Sequence, residues 1–143
     1  MILLLALQLV DSVALRDAAI KASIPPIVIE AVAYMETRSG DKINAYRGPG
    51  REQCDSLGCR RVCREIGRLQ INPCIRWSIP ACDSIRTYSA NLRCGAAILA
   101  ERYHRYGSWS LAIRAYNGSG PMADLYQQRA LAYIGKRALE QLE

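Results

Sequence analysis

The chain has 143 residues, of which 50% are apolar and 22% charged, a balance that excludes a disordered tail, a collagen-like fibre and a two-domain enzyme. A domain of this length buries roughly two-thirds of the surface its unfolded chain exposes, so it can hold one core without metal or disulfide staples. Nineteen Lys and Arg against thirteen Asp and Glu leave a formal charge of +6, which points to an anionic partner: nucleic acid, membrane head groups or an acidic cell-surface polymer.

Met1 to Val10 has the length of a signal-peptide apolar core, but no basic residue precedes it and no small-x-small cleavage site follows before Asp11. It is also too short to span a bilayer, which needs about 20 apolar residues. We read it as retained, the buried start of a helix over about Leu3 to Ala22. No conventional export signal and no stable membrane insertion are then expected. Ser23-Ile24-Pro25-Pro26 breaks this helix, and the prolines suit a turn followed by a helix start. The next helix, about Pro26 to Thr37, is apolar on nearly every side, which predicts a central, buried position.

From Ser39 to Arg64 the composition shifts to Gly, Arg, Asp and Cys, and an irregular Cys-rich loop over about 41–65 is expected. The six cysteines, Cys54, Cys59, Cys63, Cys74, Cys82 and Cys94, cluster in the middle of the chain. They leave three readings open: a disulfide framework, free thiols, or a metal site, the last opposed by the absence of a Cys-x-x-Cys pair and by a single distant histidine, His104. Further helices are expected at about Ile66 to Asn72, at about Asp83 to Tyr88, and from Asn91 to Tyr106, where Gly107 ends the run. A short helix capped by Ser108 or Ser110 runs through Tyr116. Asn117-Gly118-Ser119-Gly120-Pro121 is turn chemistry, and a last helix follows over about Ala123 to Leu142. Strand-like alternation is nearly absent, so the fold class is all-α or nearly so, in a single domain.

Glu36 stands out because it ends the most hydrophobic helix and shares a face with Ile29, Val32 and Ala33. The helix dipole disfavours an anion at a C-terminus. Apolar neighbours raise a carboxyl pKa, which yields an acid still protonated near neutral pH, as a general acid requires. The plainer alternative is an exposed glutamate paired with Arg38 or Lys42. Taken singly, Gln70 reads as a helix-surface residue, Tyr116 as a core aromatic and Asn117 as a C-cap; their order after Glu36 is what carries information.

Met35-Glu36-Thr37-Arg38-Ser39-Gly40, Gly67-Arg68-Leu69-Gln70-Ile71, Asn91-Leu92-Arg93-Cys94-Gly95-Ala96-Ala97 and Ala115-Tyr116-Asn117-Gly118, in that order, resemble the soluble lytic transglycosylase domain of the goose-lysozyme-like branch of the lysozyme superfamily. The resemblance covers about Ala18 to Leu139. It implies a lysozyme-like helical domain that cleaves the MurNAc-β-1,4-GlcNAc bond of peptidoglycan without cofactor or metal. It further implies Glu36 as the catalytic acid and base, and Leu69, Gln70, Tyr116 and Asn117 as lining of the saccharide groove. Tyr133 would replace the late tyrosine that contacts the acid, although its usual flanking signature is missing. Arg68 replaces an apolar residue and is expected to place a charge beside the groove.

A transglycosylase needs one carboxyl group, whereas a hydrolase needs a second, for which Asp41 and Asp55 are the candidates. Tyr46, Trp77, Tyr88 and Trp109 are candidate sugar platforms, with core packing the alternative for Trp109, and the arginines at 47, 51, 60, 61 and 64 favour approach to an anionic wall. The expected partner is the glycan strand rather than nucleic acid, the expected state a monomer, and the expected site of action the bacterial wall or periplasm. A chain this short suits a bacteriophage endolysin or a virion-associated enzyme, with a bacterial wall-remodelling enzyme as the other source. The rival readings are a non-enzymatic nucleic-acid-binding module built on the basic Cys-rich loop, and an inactive wall binder.

Overall fold

A computed structural model describes residues 2–37, 52–55, 58–61, 65–73 and 78–142, with side chains at 11–37, 65–73 and 78–142. Five helices make up most of it: α1 (Ile2–Lys21), α2 (Pro26–Thr37), α3 (Tyr88–Tyr106), α4 (Trp109–Asn117) and α5 (Pro121–Glu140). The fold is all-α or nearly so, as the periodicity implies. Among the described residues, no helix is long and apolar enough to cross a membrane.

Helix α1 stops where Ser23 adopts a left-handed backbone, φ 57°, which lets the Ile24 amide reach back to the Ala19 carbonyl at 3.0 Å. Pro26 then occupies the first position of α2, where its missing N–H costs nothing. The alanines at 18 and 19 are buried, as are Val28, Ile29, Ala31, Val32 and Ala33 across from them. Small side chains on α1 allow the two helices to approach closely, and α2 touches all four other helices. It is the central helix that its composition predicts.

Three expected elements differ. The Cys-rich connection is not wholly irregular: β1 (Glu52–Asp55) and β2 (Gly58–Arg61) form an antiparallel hairpin with Cys54 opposite Cys59. The expected helix at Ile66 to Asn72 is instead a tight turn closed by an Ile66–Ile71 bridge, with amide-to-carbonyl distances of 3.0 and 2.9 Å. Gly67 at φ 76° and Gln70 at φ 46° depart from helical geometry, which the apolar spacing alone does not reveal. Between Asp83 and Tyr88 there is no helix, only a short 3-10 turn before it, at Pro80–Cys82. Helix α3 begins three residues earlier than expected because the Thr87 side chain accepts the Ala90 amide as an N-cap.

Cys82 and Cys94 form a disulfide that ties the 3-10 turn to α3. The other four cysteines, together with Arg38, Asp41, Lys42, Tyr46, Trp77 and the arginine side chains at 47, 51, 60, 61 and 64, lie outside the described side chains.

The turn at 66–71 is held from below by Asn91 of α3, which is almost fully buried. Its Oδ1 accepts the Leu69 amide and its Nδ2 donates to the Ile66 carbonyl, both at 2.9 Å. A methyl group on Gly67 would lie 2.4 Å from the same amide, so only glycine lets the turn settle on it. Asn91→Ala leaves two buried backbone groups without these partners and is expected to cost about 2–4 kcal/mol, read as a lower urea midpoint at unchanged slope.

Candidate active site

Glu36 sits in the last turn of α2, half-buried, and the Tyr126 hydroxyl of α5 donates to its Oε1 at 2.8 Å. Burial pushes its pKa from 4.5 up to about 7; the tyrosine bond opposes that rise and the charge of Glu65 adds to it. A neutral carboxyl that accepts at Oε1 carries its proton on Oε2. Burial also raises the Glu65 carboxyl. These are the conditions the sequence suggests for a general acid.

Beside these groups lies a cavity of about 230 Å³ whose wall includes Glu65, Gln70, Asn72, Tyr116 and Asn117. Glu36 is not itself a wall residue. Its charge nevertheless acts on Tyr116, whose hydroxyl pKa is raised well above normal, first by burial and then by Glu36 and Glu65. Tyr116 is fixed by donating to the Leu69 carbonyl at 2.8 Å, so α4 and the 66–71 turn are joined at the cavity. Gln70 donates from Nε2 to the Gly67 carbonyl at 2.7 Å, which pins its side chain over its own turn. Gln70 and the adjacent Tyr116 and Asn117, far from it in sequence, therefore meet on one wall.

Leu69 and Tyr133 do not take their expected places. The Leu69 side chain is fully buried and packs beneath Gly95, where an added methyl would meet it at 2.2 Å; only its carbonyl serves the site. The tyrosine on Glu36 is Tyr126, two helical turns before Tyr133, which instead stacks on Tyr34 with ring centroids 4.5 Å apart. Tyr126 lies seven residues upstream on the same helix and carries no distinguishing flank, so only packing could select it. Arg68 does not charge the groove either. It is buried, paired with Asp11 at 3.0 Å, and donates to the Ala33 carbonyl and Thr37 hydroxyl at the end of α2.

Of the candidate platforms, Tyr88 gives its hydroxyl to Asp11, and Trp109 stacks on Tyr103 at 4.1 Å against the core. His104 is exposed on α3. Besides Tyr126, sequence reasoning missed Glu65. Glu65 lies just upstream of Gly67, where the quoted motif begins, and that proximity was the available signal.

Comparison with protein-family models, curated proteins and solved structures returns no match.

Because the folded protein holds the Glu36 proton more tightly than the unfolded chain does, folding stability falls as pH rises from about 4.5 to about 7. Glu36→Gln removes this dependence, so melting temperatures of variant and parent should diverge in the variant's favour across that window. Tyr126→Phe deletes the bond that favours the ionised form and should move the Glu36 titration, followed by carboxyl NMR shifts, further upward.

Proposed function

We propose that this protein is a muramidase that cleaves the MurNAc-β-1,4-GlcNAc bond of bacterial peptidoglycan. The observation that carries the reading is a half-buried carboxyl with its pKa raised to about 7 and held by a tyrosine, next to a cavity walled by Gln70, Tyr116 and Asn117. The order of motifs resembling lytic transglycosylases supports the same substrate.

In the proposed reaction, Glu36 gives its Oε2 proton to the leaving glycosidic oxygen as the sugar develops oxocarbenium character. Tyr126 keeps the carboxyl oriented and steadies the carboxylate that forms. In the transglycosylase route, that carboxylate then takes the proton of the MurNAc C6 hydroxyl, and the C6 oxygen closes a 1,6-anhydro ring on C1. Gln70 and Asn117 offer amides to ring hydroxyls and N-acetyl groups. This route needs no second carboxyl.

Glu65 favours a second reading, hydrolysis, because it supplies another carboxyl on the same wall and is electrostatically coupled to Glu36. There Glu65 would activate water or bond to C1, and the product would keep a reducing end.

Digestion of purified peptidoglycan, followed by mass spectrometry, tests both readings. Glu36→Gln should lower the rate at least ~100-fold, as expected for loss of a general acid. Anhydro products, lighter by one water, with Glu65→Gln retaining activity within about tenfold, assign transglycosylation. Reducing ends together with a Glu65→Gln loss as large as that of Glu36→Gln assign hydrolysis. No bond cleavage by the parent protein at any pH between 4 and 8 sinks both.

A further inference from the structure

Arg102 lies on α3 one turn beyond Ile98, and both side chains line the cavity with Gln70, Tyr116 and Asn117. Among the described residues of that wall it is the one cation. Its side chain is 24% exposed, and of its five N–H donors Nη1 is taken by Glu101 Oε2 at 2.9 Å. Glu101 is its immediate chain neighbour and is itself 42% exposed, so the pair is a solvent-screened one of little worth. Nε, by contrast, is buried and has no hydrogen-bond partner among the described residues. Nε is closed off from any ligand, so a carboxylate entering the cavity would meet the exposed Nη edge of the guanidinium, in a charge-assisted, forked arrangement. Glu65 shares the wall, yet no ion pair joins it to Arg102 among the described residues.

We infer that Arg102 is a specificity residue that binds a carboxylate carried on the lactyl side of the muramyl sugar, and so distinguishes wall glycan from uncharged chitin-like chains. The inference rests on the muramidase reading above and adds to it a recognition element for the substrate's charge. That carboxylate has two sources: the lactyl acid itself in glycans stripped of peptide, and an acid of the peptide stem in substituted strands. Lysine would keep the charge but lose the fork.

The test compares the parent, Arg102→Gln and Arg102→Lys on three glycans of matched length: stripped muramyl glycan, peptide-bearing glycan and chitin oligosaccharide. Hydrolysis or anhydro-product release is followed on the first two, and binding by titration on the third. Arg102→Gln should lose roughly 10- to 100-fold in kcat/KM on a carboxylate-bearing glycan, through KM with kcat little changed, while chitin affinity stays within about twofold. Arg102→Lys should fall between. A loss confined to stripped glycan assigns the lactyl acid, and a loss confined to substituted strands assigns a stem acid. An equal loss on all three, a loss carried by kcat, or no loss overturns the inference while leaving the muramidase reading intact. A parent protein inert on both muramyl glycans would sink that reading, and this inference with it.

Discussion

The primary amide of Asn91 is the constraint on which the site depends. Both its ends are used on backbone groups of one turn, the Leu69 amide and the Ile66 carbonyl, in a region where water does not compete. Because the turn is closed from helix α3 rather than by its own hydrogen bonds alone, Glu65 and Gln70 are delivered together to one wall. The Leu69 carbonyl then receives the Tyr116 hydroxyl, which extends the same constraint to α4. Gly67 and Gly95 are its steric counterparts: each keeps a surface clear for a side chain that must come close, Asn91 in one case and Leu69 in the other.

A second buried polar cluster braces the opposite side. Arg68 spans from Asp11 on α1 to the Ala33 carbonyl and Thr37 hydroxyl on α2, and Tyr88 caps the same aspartate from α3. An isolated buried charge would be very costly, but here each charge is paired and further hydrogen-bonded. The cluster ends one residue from Glu36. It thus locks the end of the helix that carries the acid to the turn that carries Gln70, while burial raises the pKa of the acid itself to about 7.

Much of this was legible in the chain. The apolar girth of Pro26 to Thr37 marks a central helix, and a glutamate on such a helix is either exposed or has its pKa raised; burial raises that of Glu36 to about 7. Gly107, Asn117-Gly118 and Pro121 punctuate the last three helices where turn chemistry requires. The short segments were not legible. Ile66 to Asn72 has helix-compatible spacing, and only the Asn91 amide, nearly twenty residues further on, makes the turn the better arrangement. Arg68 reads as a charge beside the groove until its aspartate, 57 positions upstream, is known to pack beside it.

By itself, then, the order of residues determined the helical class, the central helix and the unusual glutamate, since these follow from local periodicity and from the cost of placing a charge among aliphatic neighbours. Tertiary structure decided which tyrosine touches Glu36, that Leu69 turns inward while its carbonyl faces Tyr116, and that Glu65 and Arg102 share a wall with Gln70. Those choices depend on contacts between segments dozens of residues apart. A tyrosine at 126 and one at 133 are locally equivalent on a helix, and only the packing of α5 against α2 separates them.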